Sequence, residues 1–195
     1  MIVTTKMLRE KLSEYEDPAN KIARMTKAGD IVPIVKGLYE TDPNAPPCGL
    51  AASIYGPSYI SFEYALAFHG LIPETAHVIT NATFEKGKRK LYRTHFGTFA
   101  YRDVPAAAFP LGLEVRQQEG YAFRIATPEK ALCDQVYTLP PTANLREMEQ
   151  LLYENLRINA QDVSQLDAAL LNDLAQAYPS RNVRRLASIA RRRKR

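Results

Sequence analysis

A cluster of three prolines within residues 41–49 restricts the fold of this chain more than any other sequence feature. The segment reads Thr-Asp-Pro-Asn-Ala-Pro-Pro-Cys-Gly. Proline lacks a backbone N–H and clashes with the preceding helical turn, so neither a helix nor a central strand continues through such a segment. We therefore predict a linker over residues 41–49, which divides the chain into a first unit, residues 1–42, and a larger unit, residues 49–195.

The first unit begins with the signals of two helices. Thr4 or Thr5 is suited to cap a helix whose apolar residues recur on one face. Asp17-Pro18 is a strong start signal for a second helix, because it supplies a capping carboxylate followed by a proline in the first turn. Gly29 is expected to end that helix.

A hairpin is predicted directly after the second helix. Residues 31–35 are rich in β-branched side chains, and Pro33 within them predicts an edge strand. Lys36-Gly37 then forms a turn into a second strand at residues 38–39. Helix, short turn, helix and hairpin are the minimal content of a winged helix-turn-helix.

The larger unit combines strands with helices. Five β-branched and aromatic stretches predict a mostly antiparallel sheet, namely residues 77–80, 91–96, 98–101, 113–116 and 121–125. Ser61 is suited to cap a helix before this sheet. Amphipathic helices follow the sheet, with predicted starts at Thr127-Pro128, Leu145, Ser164 and Ser180. The predicted class is α+β: an N-terminal winged helix-turn-helix, a mixed domain with a mostly antiparallel sheet, and a C-terminal helical bundle.

Positive charge is concentrated at the C-terminal end of the chain. The sequence has 26 Lys and Arg against 21 Asp and Glu, a net charge of +5. Eight of the basic residues and none of the acidic ones fall in residues 181–195, so residues 1–180 carry a net charge of −3. Charge gathered at one end favours a polyanionic partner; a solvated terminus is the alternative explanation.

The sequence predicts neither a membrane segment nor a disulfide. No run of 18 apolar residues is present, and the first residues lack the order of a signal peptide. We therefore expect a cytoplasmic protein with no membrane partner. Cys48 and Cys133 form no C-x-x-C pair and are expected to be reduced thiols, with Cys133 buried.

The second helix carries the candidate DNA-binding residues. Asn20, Lys21, Arg24 and Lys27 are spaced to share the face opposite its apolar side chains. Arginine can bond guanine with two hydrogen bonds, asparagine can bond adenine, and lysine binds phosphates. Lys36, at the tip of the predicted wing, extends this surface. A basic solvated helix is the alternative.

The last helix offers a second basic surface. Arg181, Arg184 and Arg185 project from an element whose other side is apolar, so they are placed to follow a phosphate backbone. A solvated end that aids solubility explains the same pattern equally well.

Enzyme motifs are absent from the sequence, and we expect no cofactor and no metal. The three histidines are too far apart for a local metal motif, and no phosphate-binding glycine loop or nucleophile elbow occurs. Glu114 and Asp103 leave one alternative open, a metal-dependent nuclease. A protein-interaction module built on the helices of residues 144–190 is the other alternative.

Three segments resemble signatures of the AbiEi (abortive infection) family of transcriptional regulators. They are residues 31–39, IVPIVKGLY, residues 57–73, PSYISFEYALAFHGLIP, and residues 126–134, ATPEKALCD. They follow one another in the order that the family shows, between residues 31 and 134.

The resemblance implies a non-enzymatic antitoxin of a type IV toxin–antitoxin system, active in defence against phage. Such a protein represses its own promoter by binding inverted repeats of double-stranded DNA through the winged helix. Its C-terminal domain, here residues 49–195 with a basic tail at residues 180–195, counters a nucleotidyltransferase-like toxin without a stable complex. DNA contact then falls on residues 20–27 and Lys36.

Overall fold

A computed structural model describes residues 1–193 of the 195-residue chain. Lys194 and Arg195, the end of the predicted basic tail, lie outside the described residues. Within residues 1–193, no helix combines the length and the apolar character that crossing a bilayer demands.

The N-terminal part of the chain forms two helices and a three-stranded antiparallel sheet. The elements are β1 (Ile2–Thr4), α1 (Thr5–Lys11), α2 (Pro18–Ala28), β2 (Val32–Val35) and β3 (Leu38–Glu40). The strands lie in the order β1-β3-β2, so Pro33 is in an edge strand as predicted. Strand β1 was not predicted, because three residues are too few to show an alternating pattern.

Short-range hydrogen bonds set the ends of these helices. The Thr4 hydroxyl accepts a bond from the Met7 amide at 3.2 Å, and the Asp17 carboxylate accepts one from the Asn20 amide at 3.0 Å. Gly29 ends α2 in the left-handed conformation, with φ 83°. The predicted caps are therefore confirmed.

The proline-rich segment ends earlier than predicted. Helix α3 (Pro47–Ile54) begins inside the predicted linker, with Pro46 at its cap and Pro47 in its first turn. Proline is tolerated there because the first amide groups of a helix have no intrahelical acceptor. Cys48, which was placed in the linker, is buried in the core, where its sulfur lies 3.1 Å from the Tyr64 hydroxyl oxygen.

The centre of the fold is a six-stranded sheet in the order β6-β7-β5-β4-β9-β8. Its strands are β4 (Tyr59–Ile60), β5 (Val78–Thr83), β6 (Lys90–Thr94), β7 (Gly97–Asp103), β8 (Leu113–Gln118) and β9 (Tyr121–Ala126). Three neighbouring pairs are antiparallel, whereas β4–β9 and β5–β7 are parallel. The sheet is therefore mixed, and its two parallel pairs were not predicted.

Helices α4 (Phe62–Phe68) and α5 (Pro128–Tyr137) connect to this sheet, and the remaining helices follow α5 in the chain. These are α6 (Leu145–Gln150), continued by a π-helical turn (Leu151–Asn155), α7 (Ala160–Gln165), α8 (Ala168–Ala177) and α9 (Arg181–Arg193). The prediction that Ser164 caps a helix is wrong, since Ser164 lies inside α7. Asp167 caps α8 instead, because its carboxylate accepts bonds from the Ala169 and Leu170 amides.

An ion pair is fully buried between the sheet and the helices. The Lys130 ammonium lies 3.1 Å from the Asp134 carboxylate, one helical turn away on α5, and both side chains are fully buried. Burial lowers the pKa of Lys130, while the Asp134 carboxylate raises it. The ammonium also donates a 2.8 Å bond to the Ala108 carbonyl oxygen.

Hydroxyl groups complete the bonding of the Asp134 carboxylate. Tyr59 and Ser61 donate to one oxygen at 2.9 and 2.5 Å, and Tyr178 donates to the other. We call Tyr59, Ser61, Lys130, Asp134 and Tyr178 the Asp134 cluster. Ser61 precedes α4 as predicted, but its hydroxyl bonds to this cluster and not to the helix amides.

Removing the carboxylate of the Asp134 cluster is expected to destabilise the fold strongly. Asp134→Ala leaves the Lys130 ammonium buried without a counter-charge, so the free energy of unfolding should fall by about 3–5 kcal/mol. Tyr178→Phe removes one hydroxyl and keeps the ring, so it should cost about 1–2 kcal/mol. Urea denaturation followed by circular dichroism measures both.

Asp173→Ala is the matched control, because Asp173 is exposed on α8. It should change the free energy of unfolding by less than about 0.5 kcal/mol. Equal stability of all three variants would contradict the role assigned to the cluster.

Candidate nucleic-acid interface

Helix α2 presents a polar side to solvent and an apolar side to the protein. Ile22 is buried and packs in a small core with Leu8 of α1 and Leu12, which directly follows α1. Asn20, Arg24 and Lys27 are exposed. Because successive helical residues are about 100° apart, these three side chains start within about 60° of one another around the helix axis.

Lys21 lies at the flank of this polar side. It is half-buried, and its ammonium is 5.1 Å from the centre of the Tyr15 ring, which precedes α2. Lys21 starts about 100° from Asn20 around the helix. The structure therefore brings three of the four residues predicted on α2 together and directs the fourth toward the connection between α1 and α2.

The cations of α2 have no internal counter-charge. Within residues 1–193, no carboxylate is in ion-pair contact with Lys21, Arg24 or Lys27. Asp17, the nearest acid before the helix, uses its carboxylate as the cap of α2. Unpaired exposed cations on one helix attract a polyanion without first breaking an ion pair.

Lys36 is exposed in the tight turn between β2 and β3. Gly37 follows it with φ 85°, a conformation that glycine adopts without strain. The Gly37 carbonyl oxygen accepts a 2.9 Å bond from the Thr5 amide, which ties the turn to the start of α1. The turn that carries Lys36 is thus held against the helical part of the N-terminal elements.

The basic residues of α9 divide into two groups. Arg181 and Arg184 are exposed. Arg185 donates to the Thr142 carbonyl oxygen and, at 2.7 Å, to that of Ala143. The arginines predicted as one surface therefore comprise two with exposed side chains and one that holds the loop before α6.

Buried residues anchor α9 to the protein. The apolar stripe predicted for this helix faces inward, with Val183, Leu186 and Ala190 fully buried. Asn182 is also buried, and its side chain accepts a 2.9 Å bond from the Thr142 amide. Helix α9 is therefore part of the core on one side.

Arg185 and Arg184 are expected to respond differently to replacement. Arg185→Ala removes the bonds to two loop carbonyls, so the free energy of unfolding should fall by about 1–2 kcal/mol. Arg184→Ala, the neighbouring control, should change it by less than about 0.5 kcal/mol. Thermal denaturation of both variants measures the difference, and the reverse order would contradict the assignment.

The acids of the nuclease alternative do not meet. Asp103 ends β7 and Glu114 lies in β8, four strand positions away, which corresponds to about 19 Å. The Asp103 carboxylate accepts bonds from the Thr83 hydroxyl and from the Lys86 and Gly87 amides. These two carboxylates therefore cannot share one metal ion.

His69 contacts a backbone carbonyl at the end of β9 and a carboxylate of β8. His69 Nε2 lies 2.8 Å from the Ala126 carbonyl oxygen and 3.7 Å from a Glu114 oxygen. Within residues 1–193, no three His, Cys, Asp or Glu side chains are grouped closely enough to hold a metal ion.

Sequence reasoning missed the Asp134 cluster. Its only local signal is the spacing of Lys130 and Asp134, four residues apart on one helix, which is also the spacing of ordinary surface ion pairs. Tyr59, Ser61 and Tyr178 come from distant parts of the chain. The cluster has no exposed member, so it stabilises the fold and offers no contact to a ligand.

Comparison with known proteins gives a similarity in fold. No family model matches this chain, and no curated protein matches it significantly. The crystal structure of the RV2827C protein from Mycobacterium tuberculosis is similar, with a TM-score of 0.60 and 16% sequence identity over 99% of this chain and 72% of that one. At this identity, the similarity establishes a shared fold.

Proposed function

We propose that this protein is a transcriptional regulator that binds double-stranded DNA through its N-terminal elements. The observation that carries the proposal is the exposed polar side of α2, where Asn20, Arg24 and Lys27 lie together and the two cations have no ion pair within residues 1–193. An α-helix with such a surface has the dimensions that the major groove of DNA admits.

The order of the elements supports a winged helix-turn-helix. Helix α1 and helix α2 are joined by a short turn and pack through Leu8, Leu12 and Ile22. The hairpin of β2 and β3 follows α2 directly, and β1 completes its sheet. In this interpretation α2 is the recognition helix, and the turn with Lys36 is the tip of the wing.

Each candidate residue has a chemical role in this proposal. Asn20 and Arg24 face bases, because asparagine bonds adenine and arginine bonds guanine with two hydrogen bonds each. Lys27 and Lys36 bind phosphates. Arg181 and Arg184 provide a second phosphate-binding surface, and Arg185 supports it by holding the adjacent loop.

We further propose that the protein is an autorepressor and the antitoxin of a type IV toxin–antitoxin system. This part rests on the resemblance of residues 31–39, 57–73 and 126–134 to the AbiEi family. Its partners are then the protein's own promoter and a nucleotidyltransferase-like toxin. Its location is the cytoplasm, where both are found.

Arg24→Ala is expected to weaken binding to the DNA upstream of the protein's own gene. Loss of one arginine–guanine contact should reduce the binding free energy by about 1–3 kcal/mol, and an electrophoretic mobility shift assay at low and high salt measures it. Arg146→Ala, an exposed arginine on α6, is the control and should bind normally. Normal binding by Arg24→Ala would refute the assignment of α2.

The antitoxin role should be separable from DNA binding. If the C-terminal elements counter the toxin, Arg24→Ala should still protect cells when it is co-expressed with the product of the adjacent gene. Growth after induction of that gene, with and without this protein, is the measurement. Failure of the unaltered protein to restore growth would exclude the antitoxin role and leave the DNA-binding proposal standing.

A further inference from the structure

One face of the six-stranded sheet is covered by helices at its centre and bare toward the β6 edge. Helix α4 lies on this face at β5, where the Tyr64 amide donates a 3.0 Å bond to the Thr80 hydroxyl. Ala100 of β7 pairs in register with Thr80, and Leu91 of β6 pairs with Ala100. Ala100 is half-buried, and Leu91 is 54% exposed. We call the face of β6 and β7 that carries these two residues the open face.

The open face forms a groove of about 640 Å³. Its floor is small and apolar, since Val78, Ala100 and Leu91 contribute to it. Glu63 of α4 and Arg102 of β7 form the wall where the covering helices begin. On the β6 side the groove has no wall, because Leu91 and Arg89 are exposed there.

Positive charge dominates this groove. Arg102 lies with its guanidinium carbon 3.9 Å from the centre of the Phe62 ring and pairs with Glu63. The second Glu63 oxygen accepts a 3.1 Å bond from Gln135. Burial lowers the pKa of Arg102, the Glu63 carboxylate raises it, and Arg89 lowers it further.

Two arginines of the open face have no counter-charge. Arg89 lines the groove, and Arg93 lies on the same face of β6 as Leu91, two residues further along the strand. Within residues 1–193, neither arginine is in ion-pair contact with a carboxylate. Since Glu63 is already paired, an occupant of the open face that carries carboxylates gains attraction from both arginines.

The chemistry of the floor disfavours nucleic acid. Binding of single strands relies on exposed aromatic rings on which bases stack. The aromatic side chains of β6 and β7 lie on the opposite face, where Tyr92 pairs in register with Phe99 and the Tyr101 hydroxyl donates to the Ala51 carbonyl oxygen at 2.7 Å. A double helix is read by elements that project into its grooves, and the open face is recessed.

A small molecule is also a poor match. Sites for small ligands enclose most of the ligand surface, whereas this groove is open along β6. A helix of about 10 Å diameter placed over Ala100 and Leu91 would extend the layer that α4 begins on the same face. Its apolar stripe would cover the floor, and acidic residues beside the stripe would meet Arg89 and Arg93.

We propose that the open face binds an acidic amphipathic helix of a partner protein. The binding energy comes from covering Leu91 and Ala100, and selectivity comes from the unpaired Arg89 and Arg93. This site is distinct from α2 and does not depend on DNA binding.

Two synthetic helical peptides of about 18 residues test the proposal on the full-length protein. Both carry leucine at i, i+3, i+4 and i+7; one has glutamate and alanine at the other positions, and its match has lysine and alanine. Fluorescence anisotropy should show saturable binding of the glutamate peptide and at least about tenfold weaker binding of the lysine peptide. Equal affinities, or no binding of the glutamate peptide at millimolar protein, overturn the proposal.

Variants locate the bound peptide. Leu91→Asp and Arg93→Glu should each lower the affinity for the glutamate peptide by about tenfold or more. Val115→Asp is the matched control, because Val115 is 66% exposed on β8, the opposite edge strand of the same sheet, and it should bind normally. An equal loss of peptide affinity in Val115→Asp and Leu91→Asp would overturn the assignment of the open face. If Leu91→Asp does not fold, the affinity of Arg93→Glu decides the question.

Two parallel measurements keep the interpretation specific. A single-stranded oligothymidine should not displace the glutamate peptide, and displacement would identify the face as a nucleic-acid site and refute a protein partner. Binding to the upstream DNA should be normal in Arg93→Glu. The peptide result and the DNA result are thus independent, so failure of either proposal is recognised separately.

Discussion

The buried ion pair between Lys130 and Asp134 is the interaction on which the arrangement of the larger sheet and its helices depends. Transfer of two charges from water into a protein interior costs several kcal/mol for each ion, and the pair is stable only if further hydrogen bonds satisfy it. Those bonds come from Tyr59 of β4, Ser61 before α4 and Tyr178 after α8. Strand, helices and ion pair are therefore stable only when they are docked together.

The Asp134 cluster draws most of its residues from two short segments of the chain. These segments, residues 57–73 and 126–134, are two of the three that resemble the AbiEi family. They contribute Tyr59, Ser61, Lys130 and Asp134 to the cluster. All four side chains are buried. Two of the three segments that resemble the family thus build the interior of the fold, whereas the third, residues 31–39, carries Lys36 of the surface proposed for DNA binding.

Local structure was largely determined by the sequence, because its signals act over three or four residues. Asp17 and Thr127 cap α2 and α5 through amides three residues ahead, and Gly29 ends α2 in the conformation that glycine prefers. Pro33 lies in an edge strand because it cannot donate to a second neighbour. The amphipathic patterns of α2 and α9 likewise identified their buried and exposed sides.

Long-range relations were decided only by the tertiary structure. Strand β4 has two residues and leaves no pattern, yet it joins β5 to β9 at the centre of the sheet. Asp134 is buried because its hydroxyl partners lie 73, 75 and 44 residues away in the sequence. Arg185 resembles Arg184 in sequence, and only the position of the loop at Thr142 separates their roles. Spacing along the chain reports which face of an element a residue occupies, whereas its burial and its partners depend on which other elements come to lie against that face.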